Sequence, residues 1–158
     1  MFGAELHPFV LHFAVGLLLI APVCDVFGLL LRREGLLYAG RWTTLLGTLA
    51  ALLSVATGFG AEAGLGPHSD AGEALLHLHK ALAYLVLAVW VPVAAWRGLS
   101  KLPLPLRART FYLAAAFAGG VVLTVQAALG NALVYRHGVG LSASARAEPV
   151  VRPPSPPR

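Results

Sequence analysis

Charge and sulfur are both scarce in this chain. Only 12% of its 158 residues are Asp, Glu, Lys or Arg, against about a quarter in an ordinary soluble domain. The single cysteine, Cys24, rules out an intrachain disulfide framework and a cysteine-based zinc site. It reads as a small buried apolar residue. No Cys-x-x-Cys-His is present, which excludes covalent c-type haem. No His-Glu-x-x-His is present either, so a zincin protease has no support. Serines are few within the apolar stretches, and no Ser/His/Asp order stands out. The formal charge is +5, yet no basic run is interleaved with aromatics, so no nucleic-acid surface is expected. Met1 to Leu6 hold no Lys or Arg and no small-residue cleavage site. The first apolar segment is therefore read as retained rather than as a signal peptide.

Apolar sequence is what the chain has in excess. Hydrophobic residues make up 58% of it, and the mean hydropathy is +0.74. Runs of about 20 apolar residues fit a hydrocarbon core about 30 Å thick. Four such runs are predicted, over 8–31, 42–61, 75–96 and 110–134. The expected fold is all-α: a polytopic membrane protein, four transmembrane helices in an up-down bundle over residues 1–141. Pro8 suits a first helical turn, and Pro22 is expected to kink the first span. Gly47, Gly58, Gly60, Gly119, Gly120 and Gly130 predict close helix packing in lipid. Residues 142–158, rich in Ser, Pro and Arg, cannot bury a core and are expected to be disordered. No internal sequence repeat is visible.

The short connections give an orientation. Residues 32–41 carry Arg32, Arg33 and Arg41, and 97–109 carry Arg97, Lys101, Arg107 and Arg109. The 62–74 loop has no Lys or Arg. The positive-inside bias then puts the first two connections in the cytoplasm and both termini on the periplasmic side of a bacterial inner membrane. Tyr38, Trp42, Trp96 and Tyr112 read as an aromatic belt at the cytoplasmic face.

All six histidines fall at the opposite end of the predicted bundle. His7 and His12 open the first span, His68 lies in the 62–74 loop, His77 and His79 open the third span, and His137 follows the fourth. At about 100° per residue, His7 and His12 point about 140° apart, and His77 and His79 about 200° apart. Each pair can send one member squarely inward. His12 and His79 sit at matching depth on helices that an up-down bundle places diagonally. That is the axial-ligand arrangement of a b-type haem, with both side chains on the iron. His7 and His137 form a shallower second layer for a further metal, a propionate or a quinol-type headgroup. Lys80 and Arg136 either snorkel outward or meet a haem propionate. Asp25, deep in the first span, is a packing residue or part of a proton route.

His7-Pro8-x-x-x-His12-Phe13, Asp25, His79 and the run Leu133-Val134-Tyr135-Arg136-His137-Gly138-Val139-Gly140 together resemble a bacterial membrane family, domain of unknown function 2231. The resemblance covers about 5–141. It implies a four-helix membrane protein in a redox setting, because some relatives are joined to Rieske-type iron–sulfur domains. His7, His12, His79 and His137 match the family's motif positions, whereas His68 and His77 look like additions. Relatives often show Gly-Glu before the terminal motif, and here Gly130-Asn131 stands instead.

The expected function is a membrane-embedded b-type haem electron carrier, or a cytochrome-like subunit of a respiratory or photosynthetic complex. Its expected partners are the lipid bilayer, other subunits of a redox complex and a Rieske-type or cytochrome c protein. The alternatives are a copper- or zinc-binding membrane module, and a non-catalytic structural subunit.

Overall fold

The computed structural model describes residues 2–140, with side chains from Leu6 onward; the 142–158 tail lies outside the described residues. Four α-helices follow in order: α1, Phe2–Leu30; α2, Glu34–Glu62; α3, Asp70–Leu99; and α4, Leu106–His137. All four are long and apolar enough to cross a membrane. At about 1.5 Å per residue each exceeds 40 Å, the full thickness of a bilayer with its headgroups.

The helices outrun the apolar segments, and the start of α3 and the end of α4 are capped. The α1–α2 connection shrinks to three residues and turns at Arg32, which takes a positive φ of 54°. Glu34 then lies in the first turn of α2, where a carboxylate favours the helix dipole. At the start of α3, Ser69 accepts from the Gly72 N–H at 3.2 Å, with Asp70 and Glu73 in the first turn. At the end of α4, Gly138 adopts the left-handed conformation, φ 62°, which glycine reaches without a Cβ clash. The Tyr135-to-Gly140 motif is therefore first of all a helix stop. Val139 N–H returns to Leu133 O at 2.9 Å, and both side chains are buried.

The bundle is up-down, and α1 packs most closely on α2, and α3 on α4. The α1/α3 and α2/α4 backbones do not meet, so these are the diagonal pairs. Glycines set the two tight seams. A Cβ at Gly47 would lie 2.8 Å from Leu18, and one at Gly119 would lie 2.9 Å from the Trp90 indole nitrogen. The α1/α4 contact is the loosest. It leaves a crevice of about 340 Å³ lined by Leu19, Pro22, Phe117, Gly120, Val121 and Val125. Phe9, Phe13, Leu46, Leu53, Phe111 and Val121 are exposed on the outside, as lipid contact requires and water would not tolerate in such number.

Two boundaries differ from the sequence-based expectation. Arg97 is not a loop residue but the last-turn residue of α3, 2% exposed. Tyr112 is not part of an interfacial belt; it is 1% exposed. Both moves have one cause, a buried polar cluster centred on Asp25.

Candidate functional site

Two polar sites lie at opposite ends of the bundle. The topology brings the start of α1, the end of α2, the start of α3 and the end of α4 together, and with them all six histidines.

His7 leans from α1 onto α2. Its Nδ1 donates to the Ser54 carbonyl at 2.9 Å, with Thr57 Oγ1 at 3.4 Å. Gly58 supplies the room, since a Cβ there would lie 3.3 Å from the ring. His79 leans from α3 onto α4 in the same way. Its Nδ1 donates to the Gln126 carbonyl at 3.0 Å, and Gly130 lies beneath the ring, 2.9 Å from Cε1 once a Cβ is added. The Gln126 side-chain amide donates to His79 Nε2 at 3.1 Å. A ring whose Nδ1–H is held by a carbonyl has its tautomer fixed, and Nε2 is left as the metal-binding or proton-accepting atom.

His12 is placed differently from the expectation. It is exposed, and its Nδ1–H turns back to the Pro8 carbonyl of its own helix. The 140° between the α1 histidines left one of them to face inward, and the structure turns His7 inward. His7 and His79 each meet the adjacent helix four residues before its glycine, Gly58 and Gly130.

The remaining histidines form a rim. Glu73 is bracketed by His68 Nε2 at 2.5 Å and His77 Nε2 at 3.0 Å. His137 packs its Cβ beside Gly72, and Arg136 is exposed. Lys80 does not snorkel outward; its Nζ donates to Glu62 at 2.6 Å and ties α3 to α2. Among the described residues, no three His, Cys, Asp or Glu side chains form a metal-binding group.

The second site is the one that sequence reasoning missed. Asp25 accepts from Arg97 Nη2 and from the Tyr112 hydroxyl, the latter at 2.6 Å. Arg97 Nη2 also donates to the Leu37 carbonyl at 3.1 Å, and the guanidinium lies 5.0 Å over the Tyr112 ring. Thr44 is 3.4 Å from the Tyr112 hydroxyl. Every helix thus contributes to one buried knot. A Cβ at Gly40 would fall 2.7 Å from the Asp25 carboxyl, so glycine makes the space. Arg97 Nε and Nη1 have no partner among the described residues. They adjoin a space of about 10 Å³ lined by Asp25, Arg109 and Tyr112, about enough for one water. The signal was present in the sequence: a deep Asp in an apolar span needs a cation, and Arg97 is the cation at the end of a span on the same side.

A family model described as Predicted membrane protein (DUF2231) matches residues 3–143. No curated protein and no solved structure matches the chain.

Proposed function

The chain belongs to the DUF2231 family of predicted membrane proteins, and on that premise we propose that it is a membrane-embedded b-type haem electron carrier with its site at the histidine end. The observation that carries this reading is the pair His7 and His79. Two inward imidazoles on diagonal helices each give Nδ1–H to a backbone carbonyl of the next helix. Such a pair of neutral imidazoles would hold the iron of a b-type haem. The glycine cradles at Gly58 and Gly130 fit it too, since a Cβ at either would press on the ring that must be oriented. Zinc fits less well, because a closed zinc site takes four ligands and the described residues gather no such group.

A bound haem would supply one-electron chemistry at that membrane face. The protein's own residues do the rest. Ser54 and Gln126 carbonyls fix the ring planes and keep Nδ1 protonated. Gln126 holds His79 Nε2 with a neutral amide donor, a contact weak enough for a metal to displace. The apolar outer face keeps bulk water from the ligand atoms. Partners of a Rieske-type or cytochrome c kind would dock at the rim formed by His68, Glu73 and His77.

The test is the visible spectrum of the full chain purified in detergent, with metal analysis. The expected result is iron with a porphyrin whose bands sharpen on reduction. Copper without porphyrin, or no chromophore at all, would overturn the haem reading.

A further inference from the structure

Two hydrogen bonds at the histidine end share one unexpected number. His7 reaches Ser54 and His79 reaches Gln126, and each bond spans 47 residues of chain. The same spacing rule extends through the molecule. Residues 2–27 of α1 and all of α2 have their counterparts 72 residues on, within α3 and α4. His7 maps to His79, Ser54 to Gln126, and Gly58 to Gly130. Leu18 against Gly47 maps to Trp90 against Gly119. Asp25 facing Gly40 maps to Arg97 facing Tyr112. The starts of α2 and α4, Glu34 and Leu106, obey the rule as well.

Burial follows it too. Leu18 and Trp90 are both fully buried, Asp25 and Arg97 are both 2% exposed, and Ala14 and Val86 are both 3% exposed. The diagonal arrangement makes this a rotation. Turning the bundle by half a turn about its long axis carries α1 onto α3 and α2 onto α4, with chain directions preserved.

We propose that the chain is a duplicated helical hairpin with a twofold axis along the bundle, and that His7 and His79 are equivalent ligands of one metal centre on that axis. The metal in this statement rests on the haem reading above; the duplication does not. Identity has been kept where the geometry demands it, at the histidines and at the two seam glycines. Elsewhere any apolar residue serves, so the repeat leaves almost no trace in the sequence.

A consequence for chemistry follows. If His7 and His79 both held the iron of one haem, the group would supply electron transfer and would not take up added ligands such as carbon monoxide. At the far end, the axis passes between two equivalent positions, Asp25 and Arg97, that have diverged to opposite charge. Gly40 gives room on the carboxylate side, and Tyr112 covers the guanidinium on the other.

Two arms test this. In the first, carbon monoxide is added to the reduced full-length protein. The wild type should not change its spectrum, whereas His7→Gly and His79→Gly should each bind carbon monoxide, and to the same extent. Each should also regain the wild-type bands with free imidazole. Carbon monoxide binding by the wild type, or a response from one variant only, overturns the equivalence. The second arm needs no haem. Asp25→Arg with Arg97→Asp should lower the thermal midpoint in detergent, because each new side chain meets the wrong partner. Adding Gly40→Tyr with Tyr112→Gly should restore most of the loss. No recovery overturns the duplication, and recovery in a protein without porphyrin upholds it while the haem reading fails.

Discussion

At the residue scale, Asp25 and Arg97 are the groups whose placement is most constrained. A lone charge in the hydrocarbon region is costly, and removing one partner of a buried pair costs about 3–5 kcal/mol. Asp25→Ala is expected to destabilise the bundle by that order, leaving Arg97 without its carboxylate. Denaturant unfolding in detergent measures it, and a loss below about 1 kcal/mol would mean that lipid or water already satisfies the guanidinium. Asp25→Asn keeps the acceptor and should stay folded. A haem held at the histidine end, as proposed, should also be kept, because Asp25 lies eighteen residues beyond His7 on α1, about 27 Å at 1.5 Å per residue. Cofactor loss in a folded Asp25→Asn protein would tie the two ends together in a way that this geometry does not.

At the element scale, the seams of α1 with α2 and of α3 with α4 decide stability. Gly119→Ala places a methyl 2.9 Å from the Trp90 indole nitrogen and 3.0 Å from Val89. Overpacking of that kind costs about 1–3 kcal/mol. Gly16→Ala meets nothing within 4 Å and should be neutral or stabilising, by up to about 1 kcal/mol. Thermal melts of the two variants side by side check the contrast; equal midpoints would mean that the α3–α4 seam is not tight. Much of this level was legible in the sequence. Four apolar runs of spanning length admit little but a helical bundle, and Gly47, Gly58, Gly119 and Gly130 marked its close contacts. The helix ends were less legible, because capping by Ser69 and Gly138 extends α3 and α4 past the apolar segments. The choice between His7 and His12 was not legible at all. Both lie within about the first three turns of α1, and the angle between them says only that one faces inward.

At the scale of the whole molecule, the basic connections carry the proposed orientation. Arg97 is withdrawn from that count by its pairing with Asp25. Arg32, Arg33, Lys101 and Arg107 remain exposed at the same end, and on the positive-inside rule we propose that this end faces the cytoplasm and the histidine end lies outside. Cysteines introduced at Ser100 and Ser69, in a Cys24→Ser background, test this in intact cells. Ser69→Cys should react with an impermeant maleimide and Ser100→Cys should not; the reverse pattern inverts the topology. The duplicated hairpin explains why one end gathers imidazoles and the other an ion pair, as each is a twofold-related pair of positions. The inward imidazoles are His7 and His79, and the measurement that bears on them most directly is the visible spectrum of reduced, purified His7→Ala beside His12→Ala, each with and without carbon monoxide. His7→Ala should lose the wild-type bands and take up carbon monoxide, while His12→Ala should keep the wild-type spectrum and take up none. Wild-type bands in His7→Ala with altered bands and carbon monoxide uptake in His12→Ala would contradict this.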